Sequence, residues 1–234
     1  MRILSSYVNE VMNSWKSDWA VKGFRSHFYL TIFLFCSVLF FSCLFLSLWE
    51  TRNGLVIFDP VLSRLHPREF SLPIFALVHS SMLITLILFL KNPRLLLKGL
   101  QAYALLLSLR TISIYLVPLE APRGMIFLQD PITAFFLNSI NTVTKDLFFS
   151  GHISAMCLFV YFSENKIWKT YLSVITPIVA IFILWQHVHY TIDILAAPVF
   201  TYFSCKLIER INERWEHGID NIEMSKMEVA TSES

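Results

Sequence analysis

The chain alternates between long apolar runs and shorter polar stretches, and this pattern predicts helices that cross a membrane. A spanning helix needs about 20 mostly apolar residues, or somewhat fewer where one end is buried in protein. Six segments of the sequence meet this requirement, and the fourth is the shortest of them: 28–49, 73–90, 95–117, 147–162, 167–186 and 190–208. The predicted organisation is therefore an N-terminal segment at 1–27, a six-helix transmembrane domain at 28–208 and a polar tail at 209–234.

The composition excludes most classes of soluble protein. Of the 234 residues, 55% are hydrophobic and 15% are charged, whereas a typical soluble domain is about 25% charged. The net charge is +2 and the Lys and Arg residues form no single run, so we predict no nucleic-acid partner. The four cysteines show no CxxC spacing, which argues against a zinc site or a disulfide framework. The sequence is that of an all-α integral membrane protein.

The distribution of Lys and Arg predicts how the spans are oriented. Cytoplasmic loops of membrane proteins carry an excess of these residues. With six spans, 13 of the 19 Lys and Arg residues fall on the side of the two termini and 5 fall in the longer loops on the other side. The remaining one, Arg110, lies inside the third span. Both termini are therefore predicted to face the cytoplasm.

The N-terminal segment carries apolar residues at helical spacing, with Lys and Asp between them. These residues are Leu4, Val8, Val11, Trp15 and Trp19. Such a pattern is typical of an amphipathic helix that lies in the membrane interface. The alternative is a frayed tail.

Ionisable residues inside spans are costly and mark candidate functional sites. Arg110, His152, His189 and Asp193 are the four that stand out. In the predicted topology the third span ends, and the fourth and sixth begin, on the non-cytoplasmic side. The four residues are therefore expected at one depth and on one side of the membrane.

Together these residue types suit phosphoryl transfer. His189 and Asp193 are four apart and share one helical face, so the carboxylate can fix the tautomer of the imidazole and make its other nitrogen the nucleophile. A second histidine, His152, can then protonate a leaving oxygen. Ser150 and Gly151 at a helix start, with the guanidinium of Arg110, can hold an anion. This chemistry fits a lipid headgroup and a covalent phosphohistidine, with no cofactor.

Each of these residues also has a simpler explanation. An intramembrane histidine can be a hydrogen-bonded structural residue, and Arg110 can extend to the interface. His187 is expected at the rim of the site, because it is two residues from His189 and points elsewhere on the helix. His152, His189 and Asp193 could instead bind a divalent ion, although no dense carboxylate cluster accompanies them and Arg110 would repel the metal.

Three segments resemble the type-2 phosphatidate phosphatase (PAP2) superfamily, and within it the sphingomyelin synthase branch. The segments that carry the resemblance are Arg110 to Tyr115, Asp146 to His152 and His187 to Asp193. The ordinary phosphatase branch has a Ser-Arg pair ahead of its last histidine, where this chain has Phe182 and Ile183. In the first external loop the likeness is confined to Asp59-Pro60. The missing pair favours the synthase branch.

The resemblance implies a six-span PAP2-like bundle whose site faces away from the cytoplasm. It implies a triad in which His189 attacks phosphorus, Asp193 orients it and His152 protonates the leaving group. The residues expected to bind substrate or phosphate are Arg110, Tyr115, Lys145, Asp146, Ser150 and Gly151.

The expected activity is transfer of a phosphorylated headgroup from a glycerophospholipid donor to a lipid alcohol such as ceramide or diacylglycerol. A lipid phosphatase or phospholipase-C-like hydrolase is the alternative, because water can replace the lipid hydroxyl. A non-catalytic scaffold or lipid-binding relative is the second alternative. The sequence leaves open which membrane carries the protein and its oligomeric state, a homo-oligomer included.

Overall fold

A computed structural model describes residues 2–49, 52–128 and 147–232 of the protein. These residues form seven α-helices: α1 (Arg2–Ala20), α2 (Phe24–Trp49), α3 (Ser71–Phe89), α4 (Pro93–Leu116), α5 (Gly151–Phe162), α6 (Lys166–Trp185) and α7 (Thr191–Ser232). A single 3-10 turn, Leu62–Arg64, lies between α2 and α3. The described part of the chain contains no strand beyond an isolated bridge between Leu55 and Leu119. The predicted all-α class is confirmed.

Five of the helices are long and apolar enough to cross a membrane. The qualifying stretches are Phe24–Phe45, Ser71–Phe89, Pro93–Leu116, Lys166–Trp185 and Thr191–Trp215. The fourth predicted span is shorter than expected, because α5 has 12 residues and begins at Gly151 rather than at 147. At 1.5 Å per residue it is about 18 Å long, which is less than the roughly 30 Å of a bilayer core. The protein is a multi-pass membrane protein, and its described residues include one short apolar helix and five longer ones.

The short helix α5 lies at the centre of the bundle. It packs against α3, α4, α6 and α7, and the residues just before it, Phe149 and Ser150, are fully buried. Irregular backbone at membrane depth is tolerated where protein surrounds it. Residues 147–150 stay outside the helix because their backbone groups bond elsewhere: the Phe149 carbonyl accepts from Arg110 and the Ser150 N–H donates to the Asp193 carbonyl. The amino end of α5 is therefore inside the bundle.

The longest connection within the described residues, 52–70, leads from α2 to α3, whereas short turns join α3 to α4 and α5 to α6. We call the end where α2, α4 and α6 finish the long-loop end, and the opposite end the short-turn end. Two of the short turns carry asparagine caps: Asn92 accepts from the N–H of Leu95 at 3.1 Å, and Asn165 accepts from the N–H of Trp168 at 3.0 Å. Such caps satisfy N–H groups that a helix start leaves unpaired.

Helix α1 packs against the short-turn end. The indole N–H of Trp15 donates to the Leu90 carbonyl at 2.9 Å, and Arg94 pairs with Asp18 at 2.9 Å. The predicted N-terminal helix therefore exists, and its position in the membrane interface stays a prediction. The predicted domain limits at 27/28 and 208/209 both fall inside helices, since α2 begins at Phe24 and α7 continues to Ser232.

Candidate active site

The starts of α5 and α7 meet at the long-loop end. The N–H of Ser150, the residue before α5, donates to the main-chain carbonyl of Asp193 at 3.3 Å. Both residues are fully buried. This contact places the segment that carries His152 beside the segment that carries His189, as the sequence predicted from topology alone.

Arg110 reaches from the last turns of α4 to the start of α5. Its Nε donates to the Phe149 carbonyl at 2.8 Å. A Cβ atom on Gly151 would lie 3.0 Å from both Cζ and Nη1 of Arg110, so the guanidinium occupies space that any other residue at 151 would take. A cation and the N–H groups of a helix start together form a site for an anion.

His189 and Asp193 are close but not hydrogen-bonded in this conformation. Nδ1 of His189 lies 3.4 Å from Oδ2 of Asp193, which is within ion-pair range but longer than an ordinary N–H···O hydrogen bond. Both side chains are buried, and Nδ1 has no hydrogen-bond partner among the described residues. Catalytic hydrogen bonds are often long without substrate and tighten when it binds. The geometry therefore allows Asp193 to orient His189 after a small ring movement.

Asp193 is held in place by a hydrogen bond at the start of α7. It is the third residue of α7, and its Oδ2 accepts from the N–H of Tyr190, the residue before the helix, at 3.0 Å. An acid at this position that bonds back to the cap residue forms half of a capping box. The carboxylate thus has a structural role as well as a place beside His189, and the helix start fixes the distance between the two.

Three buried polar atoms at this junction have no hydrogen-bond partner among the described residues. They are Oγ of Ser150, Nδ1 of His189 and Oδ1 of Asp193. Buried polar atoms in proteins almost always have a partner. Three such atoms lie on adjoining segments here, which makes this junction a candidate site for polar groups of a ligand.

The remaining predicted site residues lie in different surroundings. His152, in the first turn of α5, is half-buried and has its ring edge-on to Phe75 at 5.8 Å. Tyr115 is 51% exposed at the end of α4, with the guanidinium of Arg52 over its ring. Its role in binding substrate or phosphate stays a prediction. Lys145 and Asp146 lie outside the described residues.

Gln186 is a buried residue near the site that sequence reasoning missed. Its side chain accepts from the N–H of Phe70 at 2.9 Å and donates to Oγ of Ser71 at 2.8 Å, while its main-chain carbonyl accepts from the N–H of Ile126. These hydrogen bonds hold the loop before α3 and the segment after α4 against the end of α6. The only sequence signal was a lone amide at the end of an apolar run.

We expect Gln186→Leu to destabilise the protein by about 1–3 kcal/mol, because the part-buried N–H of Phe70 would lose its acceptor. Thermal unfolding in lipid nanodiscs measures the effect. Ser173→Ala, at an exposed position within α6, is the control and should change little. Equal melting temperatures for Gln186→Leu and the wild type would contradict the prediction.

A cavity of about 630 Å³ lies beside this junction rather than in it. Its lining comes from the loop before α3, the segment after α4 and two residues that flank His189: Val56, Ile57, Phe58, Asp59, Leu62, Ser63, Leu65, Pro67, Pro122, Arg123, Gly124, His187 and Tyr190. His187 is buried at the base of the loops, with a φ of 57° and its Nδ1 3.0 Å from the Arg123 carbonyl. The predicted rim residue thus lines the cavity. The contacts around Gly151 and Asp193, rather than cavity volume, identify the candidate active site.

Residues 145–210 match the PAP2 superfamily C-terminal family model. The match covers α5, α6 and the first half of α7, so it includes His152, His189 and Asp193, whereas Arg110 precedes it. Members of the PAP2 superfamily are phosphatases and phosphotransferases, and the match supports an activity of that type on lipids. No curated protein matches the chain.

Proposed function

We propose that the protein is a lipid phosphotransferase of the sphingomyelin synthase type. It would move a phosphorylated headgroup from a glycerophospholipid to a lipid alcohol, ceramide or diacylglycerol. The observation that carries the proposal is the junction itself. A buried His189–Asp193 pair adjoins a helix start against which the guanidinium of Arg110 is packed.

In the first step His189 is the nucleophile. Its Nε2 attacks the phosphorus of the donor, the N–P bond forms, and the P–O bond to the diacylglycerol oxygen breaks. His152, in its protonated form, gives its proton to that leaving oxygen. Asp193 stabilises the charge that develops on His189, while Arg110 and the N–H groups at the start of α5 stabilise the phosphoryl oxygens.

In the second step the lipid alcohol takes the place of the departed diacylglycerol. Its hydroxyl gives a proton to His152, which is now neutral, and its oxygen attacks phosphorus. The N–P bond breaks and His189 is restored. Water entering in place of the alcohol would give hydrolysis by the same route, which makes a lipid phosphatase or phospholipase-C-like hydrolase the second candidate.

Burial favours transfer over hydrolysis. His189 is 2% exposed and Asp193 is fully buried, so bulk water has little access to the nucleophile. The positions where the phosphatase branch has Ser-Arg are apolar and packed: the ring of Phe182 stacks on Phe70 at 4.7 Å, and Ile183 is fully buried. Neither can bind a phosphate. The apolar side of the adjacent cavity also suits a lipid substrate.

The charge distribution supports a site on the non-cytoplasmic face. The Lys and Arg residues are concentrated in the segments at the short-turn end, where α1 also packs. The candidate site lies at the long-loop end. Under the positive-inside rule the short-turn end is cytoplasmic.

A transfer assay on purified protein in nanodiscs tests the proposal. A donor lipid labelled in its phosphorylated headgroup would be supplied with and without an acceptor, which is ceramide or a diacylglycerol whose acyl chains differ from those of the donor. We expect a labelled product lipid that requires the acceptor. Release of a water-soluble labelled headgroup regardless of acceptor would establish the hydrolase instead. A folded protein that forms neither product would contradict both the transferase and the hydrolase, and it would favour a non-catalytic scaffold.

A further inference from the structure

The first long loop contains a buried carboxylate that binds the start of α7. Asp59 is 9% exposed and receives four hydrogen bonds. Oδ2 accepts from the N–H of Thr191 at 2.6 Å, and Oδ1 accepts from the Thr191 hydroxyl at 3.0 Å. The other two bonds come from its own loop, from the N–H groups of Val61 at 2.9 Å and Leu62 at 3.1 Å.

The bonds to Thr191 join segments that are far apart in the chain. Thr191 is the first residue of α7 and follows His189 by two positions. The first N–H groups of a helix have no partner within the helix, and here Asp193 takes the N–H of Tyr190 while Asp59 takes that of Thr191. The turn from His189 to Asp193 is therefore held by two carboxylates, that of Asp193 within the turn and that of Asp59 from the first long loop.

The loop that carries Asp59 is itself firmly placed. The N–H of Leu55 donates to the Pro118 carbonyl at 2.9 Å, and the N–H of Glu120 donates back to the Leu55 carbonyl at 3.0 Å. The Glu120 carbonyl in turn accepts from the Tyr190 hydroxyl at 3.0 Å. The first long loop and the segment after α4 thus both contact the residues next to His189, and Asp59 makes the charged contact.

We infer that Asp59 is a positioning residue for the proposed catalytic histidine: it holds the start of α7 from the first long loop and so sets where His189 and Asp193 lie. This inference rests on the proposed function. Burial raises the pKa of the Asp59 carboxyl, but the hydrogen bonds from Thr191, Leu62 and Val61 outweigh it and keep the pKa below its ordinary value. The carboxylate is therefore ionised at neutral pH, and its bonds to Thr191 are charge-assisted.

The competing explanation is that Asp59 only caps its own turn, through Val61 and Leu62. Two substitutions separate the roles. Asp59→Asn removes the charge and replaces one of the two acceptor oxygens with an NH₂ group, whereas Thr191→Val removes only the hydroxyl bond to α7. Thr170→Val, the same change in the first turns of α6 at the short-turn end, is the matched control.

We expect Asp59→Asn to lower kcat per active site by about 10-fold to 100-fold, since sub-ångström misplacement of a reacting group has effects of this size. KM for the donor should stay within about two-fold. Thr191→Val should lower kcat in the same direction by less. The double variant should lose less than the two single effects added together, because both changes act on the same contact between Asp59 and Thr191. The number of active sites is taken from the initial burst of labelled headgroup that becomes bound to the protein.

Amide hydrogen exchange of residues 187–195 supplies a readout that does not need activity. Faster exchange there in Asp59→Asn and Thr191→Val, with Thr170→Val unchanged, is expected even if the wild type proves inactive and the proposed function fails. Unchanged exchange in this segment would overturn the inference. The inference would also be overturned if the wild type is active and Asp59→Asn keeps the wild-type kcat per active site, with only its melting temperature lowered or only its KM changed.

Discussion

His189→Ala is expected to abolish turnover while leaving a folded protein. The substitution removes the proposed nucleophile, and loss of a nucleophile in a covalent mechanism costs on the order of 10⁴-fold or more. Both headgroup transfer and hydrolysis should disappear, because the two reactions share the phosphohistidine. The measurement is the nanodisc transfer assay, together with a search for acid-labile label on the protein. That label should be present in the wild type and absent in the variant.

The control must distinguish loss of chemistry from loss of fold. His66→Ala changes an exposed histidine in the loop before α3 and should retain wild-type activity. His189→Ala should match it in yield and in melting temperature within a few degrees. If His189 were a structural residue, the variant would be less stable and its folded fraction would still turn over. Residual transfer by folded His189→Ala would therefore exclude His189 as the nucleophile.

The outline of the site could be predicted because it depends on helix direction and charge. Counting Lys and Arg and alternating the spans was sufficient to put Arg110, His152 and His189 on one side, and the structure joins their segments. The spacing of four between His189 and Asp193 predicted a shared helical face; the two side chains do lie close together, but His189 lies in the turn before α7 rather than on the helix. The contact of Arg110 with Gly151 follows from two segments that the sequence pattern had already placed at one depth.

The contacts that hold the site could not be predicted in the same way. Asp59 and Thr191 are separated by 132 positions, and nothing periodic in the sequence connects them. Gln186 continues an apolar run and gives no sign that it bonds two loops. The sequence pattern places the start of α5 too early for a related reason. The composition of 147–150 suits a span, but the backbone groups of Phe149 and Ser150 bond to Arg110 and Asp193 instead of continuing the helix. Such outcomes depend on tertiary packing.

The proposed mechanism also requires that the guanidinium of Arg110 stay against the start of α5, and two substitutions test this requirement. Arg110→Gln removes the charge, and we expect kcat/KM to fall on the order of 10²-fold to 10³-fold, as when one donor to a developing anion is lost. Gly151→Ala keeps the charge but places a methyl group 3.0 Å from Cζ and Nη1. Because Nε is bonded to the Phe149 carbonyl, the guanidinium cannot retreat freely, and we expect a loss of roughly 10-fold to 100-fold.

Gly99→Ala is the matched control for the glycine substitution. It adds the same methyl group inside α4, 3.2 Å from the ring of Phe89, so it tests crowding at a position remote from the start of α5. Steady-state kinetics with a phospholipid donor should show activity near that of the wild type for Gly99→Ala and a clear loss for Gly151→Ala. Arg110→Lys should recover only part of the activity, since an ammonium group keeps the charge but cannot bond in the planar, bidentate manner of a guanidinium. Full activity in Gly151→Ala and Arg110→Gln would mean that Arg110 binds the protein backbone alone, and the phosphate would then need another cationic partner.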